Sequence, residues 1–257
     1  MSTKEPILVG EAAPDRSTET GSALARIMAG VQQRQAEGVE PGPIDDEPSP
    51  DEPGHPEYHR RRRAEWALDR WTTATPPRYR KSDATHPGVT AWADRAAADP
   101  EDAGSLLLTG PTGTGKTYQA YGAMRRIAAS GPHRYELLAT TAADLYGRLR
   151  PNGSQAGTEH ELKRLARVPL LLLDDLGSAK ATEWVEEVTY RLINERYNAC
   201  LPTLFTSNFP ARANRDDRGN PLGPDLAQIL GERIASRLAE MTTVVPMEGV
   251  DRRRVRP

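Results

Sequence analysis

The chain of 257 residues has little cysteine, few aromatic side chains and no long apolar run. Its one cysteine, Cys200, excludes an internal disulfide framework and a zinc cluster built on cysteines. The five histidines lack the spacing of metal ligands in regular structure. No segment has the length of a membrane-spanning helix or the pattern of a signal peptide. These absences predict a soluble, cytoplasmic protein that has no membrane partner.

Charge is distributed unevenly along the chain. Residues 1–56 contain four basic against eleven acidic residues, a balance of −7, whereas the remainder has 30 against 25, a balance of +5. Residues 38–56 are also rich in proline, aspartate and glutamate, a composition that cannot bury a core. We therefore expect a largely disordered acidic arm at 1–56, then a basic linker helix at 57–75, then one globular domain at 76–257.

Two segments before that domain have helical patterns. In residues 22–37 the apolar side chains recur at the spacing of one helix face, at Leu24, Ile27, Met28 and Val31. This helix is predicted to bind a partner protein, although packing on its own domain or partial formation are alternatives. The linker helix carries four consecutive arginines, at 60–63. They could contact a nucleic-acid backbone or form a solvated basic face.

The strongest motif is a phosphate-binding loop with the pattern G-x-x-x-x-G-K-[ST]. A strand is predicted at Leu106–Thr109 before it and a helix at Tyr118–Ala129 after it, which is the order such a loop requires. Lys116 is expected to reach the β- and γ-phosphates of ATP, and Thr117 to bind Mg²⁺. The loop consists of Gly110, Pro111, Thr112, Gly113, Thr114, Gly115, Lys116 and Thr117.

Two further polar positions follow predicted strands. Asp174 and Asp175 end an apolar run, where Asp174 would hold Mg²⁺ and Asp175 would orient the attacking water; the alternative is an acidic turn. Asn208 follows the strand Thr203–Ser207 and would polarise that water or sense the γ-phosphate, unless it only forms a turn before Pro210. Five strands alternate with helices, which predicts an α/β fold with a five-stranded parallel sheet in three α/β/α layers. The other strands are predicted at 134–140, 170–174 and 243–247.

Several longer motifs surround these positions, namely PPRYR at 76–80, LLLLDDLG at 170–177, INERYN at 193–198, PTLFTSN at 202–208 and GERIASRL at 231–238. Together with the phosphate-binding loop they resemble the AAA+ ATPases of the DnaC/DnaI helicase-loader family, which also includes the IstB transposition helper. The resemblance extends from Pro76 to the C-terminus. It implies that the domain is an AAA+ member of the P-loop NTPases.

The resemblance also implies roles for particular residues. Asn208 resembles the sensor-1 residue, and Arg237 resembles the arginine finger that enters the ATP site of a neighbouring subunit; Arg233 is the weaker candidate. Arg253 and Arg254 are both candidates for sensor 2. Contacts with single-stranded DNA are implied for the stretch 142–166, which contains Tyr146, Arg148, Arg150, Lys163 and Arg164.

The function that the resemblance implies is an ATPase of DNA replication that loads a DnaB-type replicative helicase onto single-stranded DNA. ATP and Mg²⁺ would be its cofactors, and it would self-associate through the ATP site. Two alternatives stay open at this point: an IstB-like transposase helper that assembles on duplex DNA, and an ATP-switched adaptor with little turnover. The acidic arm and its helix favour a dedicated protein partner, hence the first function.

Overall fold

The structure is a computed structural model that describes residues 48–150, 157–180, 182–213, 216–249 and 251, together with Ala25, Met28, Ala29, Gln32 and Gln33. The chain divides into two units, Met1–Ser49 and Pro50–Pro257. In the first unit, Ala25, Met28, Ala29, Gln32 and Gln33 are α-helical and fall within the predicted helix of 22–37. Leu24, Ile27 and Val31, and the rest of the acidic arm as far as residue 47, lie outside the described residues. The partner-binding role of this helix and the domain boundaries stay predictions.

The second unit contains helices that alternate with five strands. The helices are α1 (Pro56–Ala74), α2 (Pro87–Ala98), α3 (Lys116–Ala129), α4 (Ala142–Leu149), α5 (Thr158–Arg167), α6 (Glu183–Asn198), α7 (Leu226–Leu230) and α8 (Glu232–Met241), with a 3₁₀ turn at Pro77–Tyr79. The strands are β1 (Ser105–Thr109), β2 (Leu137–Thr141), β3 (Leu170–Leu176), β4 (Thr203–Ser207) and β5 (Thr242–Pro246). Among the described residues, no helix combines the length and the apolar character needed to cross a bilayer.

The strands form one parallel sheet in the order β2-β3-β4-β1-β5. The predicted five-stranded parallel sheet is therefore confirmed, and the predicted bounds of β4 match the structure. Strand β2 begins at Leu137, three residues later than the prediction of Arg134. The connection after β1 leads to one side of the sheet and the connection after β4 leads to the other. Such a switch in direction leaves a crevice at the carboxyl ends of the two strands, where open α/β sheets bind ligands.

Apolar side chains cover both faces of the sheet. On β1, Leu106 and Leu108 join a core with α1, α2 and α3, whereas Leu107 joins a second core with α4 to α8. This alternation follows from the two-residue period of a strand. Both faces of the central strands are thus buried, which confirms the predicted α/β/α layers.

Helix α1 packs on the first of these cores. Ala67 and Trp71 are buried there, and the Trp71 indole N–H donates to the carbonyl of Tyr121 at 3.1 Å. The four arginines of α1 have contacts within the chain: Arg60 and Arg61 bond to Glu57, Arg62 bonds to Glu65, and Arg63 donates to the carbonyl of Gly131. The ion pairs of Arg60, Arg61 and Arg62 are exposed and individually weak, so they leave both predicted roles of the basic segment open.

A buried arginine joins the end of α5 to the sheet. Arg196 on α6 is 1% exposed, and its guanidinium donates to a group of oxygens from two separate segments. These acceptors are the carbonyls of Leu165, Ala166, Val168 and Pro202 and the hydroxyl of Thr203, at 2.7–3.3 Å. The first three are carbonyls at the C-terminal end of a helix, which lack helical partners. Arg196 therefore caps α5 from inside the protein.

Candidate nucleotide-binding site

The glycine-rich loop connects β1 directly to α3. It begins after Thr109 and ends where α3 starts, at Lys116, so the helix N-terminus faces the loop. Gly110 has a φ of 139°, and a Cβ there would lie 2.1 Å from the carbonyl oxygen of Met247. Only glycine fits this position. The predicted order of strand, loop and helix is confirmed.

Lys116 is buried within this loop, with 5% of its surface exposed. Its ammonium group donates to the carbonyls of Gly110 and Pro111, both at 2.8 Å, and to the side-chain oxygen of Asn208 at 2.9 Å. The Thr112 hydroxyl donates to the same Asn208 oxygen at 3.4 Å. The structure thus brings together the loop and the asparagine that the sequence placed at the end of β4.

Asp174 connects the loop to the end of β3. Its carboxylate accepts from the Thr117 hydroxyl at 2.9 Å and from the Thr206 hydroxyl at 2.6 Å. Burial raises the pKa of Asp174, and the neighbouring Asp175 carboxylate raises it further. The hydrogen bonds from Thr206 and Thr117 and the charge of Lys116 act in the opposite direction. A cation placed beside this carboxylate would also favour its charged form.

Asp175 lies at an irregularity in β3. The pairing of β3 with β4 shifts between Leu173 and Leu176, and Asp175 has a φ of 56°, which is rare for a residue other than glycine. Its backbone N–H donates to the Thr206 hydroxyl at 2.9 Å. Bulges of this kind change the direction of side chains next to active sites.

Thr206 is a site residue that sequence reasoning did not identify. One hydroxyl accepts from the backbone of Asp175 and donates to the carboxylate of Asp174, so it fixes both aspartates. Its position within the PTLFTSN motif was the one sequence feature that could have identified it as a site residue. A buried threonine in a strand is usually part of the core, however, and only the pairing of β4 with β3 gives it these partners.

Asp251 lies against the glycine-rich loop. A Cβ on Gly113 would lie 1.9 Å from a carboxylate oxygen of Asp251, so these residues are in contact. Asp251 belongs to the stretch predicted to carry sensor 2. Arg253 and Arg254 themselves lie outside the described residues, and their role stays a prediction.

Arg237 lies on α8, and its contacts are with α6 and α8. Its guanidinium is 4.5 Å from the centre of the Tyr197 ring and donates to Glu240 at 3.0 Å. None of the described contacts joins Arg237 to the loop at 110–117. Arg237 therefore makes no described contact with the loop, Asp174, Asp175 or Asn208 of its own chain, and its role as the finger stays a prediction.

A basic groove of about 450 Å³ lies between β2 and α5. One wall is a helix face with basic side chains at successive turns, and the other is the start of β2 with its preceding loop. Its basic residues are Arg134, His160, Lys163, Arg164 and Arg167, and Glu136 is its one acidic residue. Ion pairs join Arg134 to Glu136 at 3.6 Å and Arg164 to Glu161 at 3.3 Å. The groove thus carries an excess of positive charge.

The structure corrects one residue of the predicted DNA-contacting stretch. Tyr146 is 4% exposed, and its hydroxyl is hydrogen-bonded to that of Thr189 at 2.7 Å. Its ring packs edge-on against Trp184. Because the ring is part of the core and cannot stack on a base, the DNA contact implied for this stretch is wrong for Tyr146. Arg148 and Arg150 are exposed.

Comparisons with known proteins place the chain among ATP-binding proteins. The profile of the family described as IstB-like ATP binding protein matches residues 94–249. The chain is 24% identical over 149 residues to the replicative helicase loader DnaI of Bacillus subtilis (strain 168), which covers 58% of this chain and 47% of that protein. It is 31% identical over 120 residues to the putative ATP-binding protein of insertion sequence IS1162 from Pseudomonas fluorescens, which covers 47% and 50%.

The fold has a counterpart among solved structures. The crystal structure of the DnaC helicase loader matches with a TM-score of 0.53 and 26% identity, over 70% of this chain and 99% of that chain. The chain spans about half the length of the curated relatives it matches. Since the family profile covers more than half of the chain and includes the loop, Asp174 and Asn208, the chain belongs to the family of IstB-like ATP binding proteins.

Proposed function

We propose that the protein hydrolyses ATP at the site formed by the loop and the ends of β3 and β4. The observation that carries this proposal is the contact of Lys116 with Asn208 at 2.9 Å, beside that of Thr117 with Asp174 at 2.9 Å. Together they join three segments that are distant in sequence. The backbone N–H groups of the loop and the start of α3 supply the positive potential that a triphosphate requires.

The residues present also fit a magnesium ion. The Thr117 hydroxyl and the Asp174 carboxylate are hard oxygen ligands in contact with each other at the phosphate end of the loop. Mg²⁺ bound there would offset the charge of the β- and γ-phosphates. Asp174 holds the metal in this proposal, and Thr206 holds Asp174 in orientation.

The remaining roles concern the attacking water and the developing charge. Asp175 and Asn208 orient the water, and Lys116 stabilises charge on the phosphates. Arg237 acts on the ATP of a neighbouring copy, so hydrolysis requires self-association. Arg253 or Arg254 completes the site as sensor 2.

The process that this ATPase serves, in our proposal, is the loading of a DnaB-type replicative helicase onto single-stranded DNA. Two observations support it: the similarity to the DnaI loader, and the match to the DnaC loader over 99% of that chain. The basic groove between β2 and α5 supports contact with DNA, because clustered cations neutralise backbone phosphates. Lys163 and Arg164, for which the family resemblance implies DNA contacts, line this groove.

The test uses the purified protein with the replicative helicase of its host and circular single-stranded DNA. Wild-type protein with ATP is expected to increase the amount of helicase retained on the DNA, and Lys116→Ala is expected not to. Lys180→Ala, an exposed lysine after β3, is the matched control and should behave as wild type. Helicase retention that is equal with and without the protein would contradict the loader proposal.

A second candidate is an ATPase that assists a transposase on duplex DNA. The match to the IstB-like family and the 31% identity to the IS1162 protein favour it. Turnover stimulated by duplex but not single-stranded DNA, together with activation of a transposase, would select this function. Turnover that neither DNA nor partner stimulates would instead indicate an ATP-switched adaptor.

A further inference from the structure

Two arginines of α8 lie over the rings of two tyrosines of α6. The guanidinium of Arg233 lies 5.5 Å from the centre of the Tyr190 ring, and that of Arg237 lies 4.5 Å from the centre of the Tyr197 ring. The two arginines are one helical turn apart, so the same two helices build both pairs. They differ in what surrounds the guanidinium.

The Arg237 pair is closed by a third residue. The Tyr197 hydroxyl donates to one carboxylate oxygen of Glu240, and Arg237 donates to the other at 3.0 Å. Each member of this trio thus contacts both others. In the described contacts, Arg233 has the ring of Tyr190 and no acidic partner. Of these two arginines, therefore, Arg237 alone is held by both a ring and a carboxylate in the described contacts.

We propose that Tyr197 and Glu240 are positioning residues that set the guanidinium of Arg237 for the ATP site of a neighbouring copy. This inference rests on the proposed role of Arg237 as the finger. An arginine side chain has many rotamers, and a finger that is already oriented loses less freedom when it meets the phosphate. The ring of Tyr197 restricts the plane of the guanidinium, and Glu240 holds the ring through its hydroxyl.

The exposure of the trio is consistent with transfer of the arginine to a phosphate. The Arg237 side chain is 32% exposed and that of Glu240 is 53% exposed, so water screens their attraction. A γ-phosphate carries more charge than a carboxylate and offers the same bidentate geometry. Arg237 can therefore exchange Glu240 for the phosphate while its stack on Tyr197 is kept.

The test places the two halves of the composite site on different copies. Arg237→Ala protein has an intact ATP site and no finger, whereas Lys116→Ala protein has a finger and no ATP. Each is inactive alone in the proposed mechanism, and mixing them with oligo(dT) should restore turnover at the site of the Arg237→Ala copy. Tyr197→Leu is then added to the Lys116→Ala copy only, which leaves the hydrolysing site unaltered.

We expect Tyr197→Leu in the finger copy to lower kcat about tenfold at unchanged KM for ATP, which is the size of one lost cation–π contact. Tyr197→Phe keeps the ring and should lower kcat less than about threefold, and Glu240→Gln about threefold. The matched control Tyr190→Leu, at the Arg233 pair, should change kcat less than about twofold.

The outcomes separate this inference from the proposed function. Restored turnover that Tyr197→Leu leaves unchanged, or that Tyr190→Leu lowers equally, would overturn the positioning role while Arg237 remains the finger. An unchanged or higher rate with Glu240→Gln would remove Glu240 from the proposal. If mixing restores nothing, the action of Arg237 on a neighbour is wrong, and the positioning role is wrong with it.

Discussion

Lys116 and Arg196 are two buried cations with similar surroundings and different consequences. Each donates mainly to backbone carbonyls. Lys116 is 5% exposed and Arg196 is 1% exposed. The carbonyls around Arg196 belong to the end of α5 and the start of β4, which are parts of the scaffold. Those around Lys116 belong to the glycine-rich loop, and its third acceptor is Asn208.

The comparison teaches that burial and carbonyl partners alone do not distinguish a functional cation from a structural one. Burial lowers the pKa of Arg196 to about 9, so the side chain still carries its charge at neutral pH. It uses this charge to satisfy carbonyls that would otherwise be buried without partners. Lys116 differs because it lies at the N-terminus of α3 beside the glycine-rich loop, where an anion can replace its present acceptors.

The largest expected effect is on stability, from Arg196→Met. This change leaves several buried carbonyls without a donor, and we expect the free energy of unfolding to fall by about 3–5 kcal/mol. Urea denaturation monitored by circular dichroism measures it. Arg191→Met on the same helix is the matched control: its ion pair with Glu159 is exposed, and it should cost less than about 1 kcal/mol. Equal losses for both variants would contradict a special role for Arg196.

Lys116→Ala should have the next largest effect, and on ATP rather than on folding. The loss of a buried charge aimed at phosphates should weaken ATP binding at least about 100-fold, which is about 2.7 kcal/mol. Titration with a fluorescent ATP analogue measures the affinity, and the urea midpoint should stay close to that of wild type. If the Lys116→Ala variant bound ATP as tightly as wild type, Lys116 would be a structural cation like Arg196 and not a ligand of the phosphates.

Asn208→Ala tests a hydrogen-bond partner of Lys116 that lies outside the loop. Because Asn208 contacts both Lys116 and Thr112, its loss should disturb the γ-phosphate end of the site. We expect kcat for stimulated hydrolysis to fall about tenfold, with a change of less than about threefold in ATP affinity. Steady-state turnover and ATP titration on the same preparation separate the two quantities. If Asn208 only formed a turn before Pro210, the Asn208→Ala variant would keep the kcat of wild type.

Thr203→Val should have the smallest effect and is the structural counterpart of Asn208→Ala. It removes the hydroxyl that accepts from Arg196 at 2.7 Å, and we expect a loss of about 1 kcal/mol of stability. ATP affinity and kcat should remain those of wild type. A fall in turnover without a fall in stability would mean that the two cation sites are coupled.

Much of the ATP site could be predicted from sequence because its parts are local. The loop, its flanking strand and helix, and the acidic end of β3 each lie within a short stretch whose residue types require a particular backbone. Thr206 and the buried state of Tyr146 could not be predicted in this way. Their surroundings come from segments 30 or more residues away, such as Asp174 for Thr206 and Thr189 for Tyr146.

The sequence by itself determined the loop, the five strands and the positions of Lys116, Asp174 and Asn208 at strand ends. It did so because hydrophobic period, glycine and charge act over a few residues. Only the tertiary structure decided that Arg196 is a cap, that Tyr146 belongs to the core, and that Arg237 rests on the ring of Tyr197. Those contacts depend on strand order and on the packing of helices distant in sequence, which no local pattern encodes.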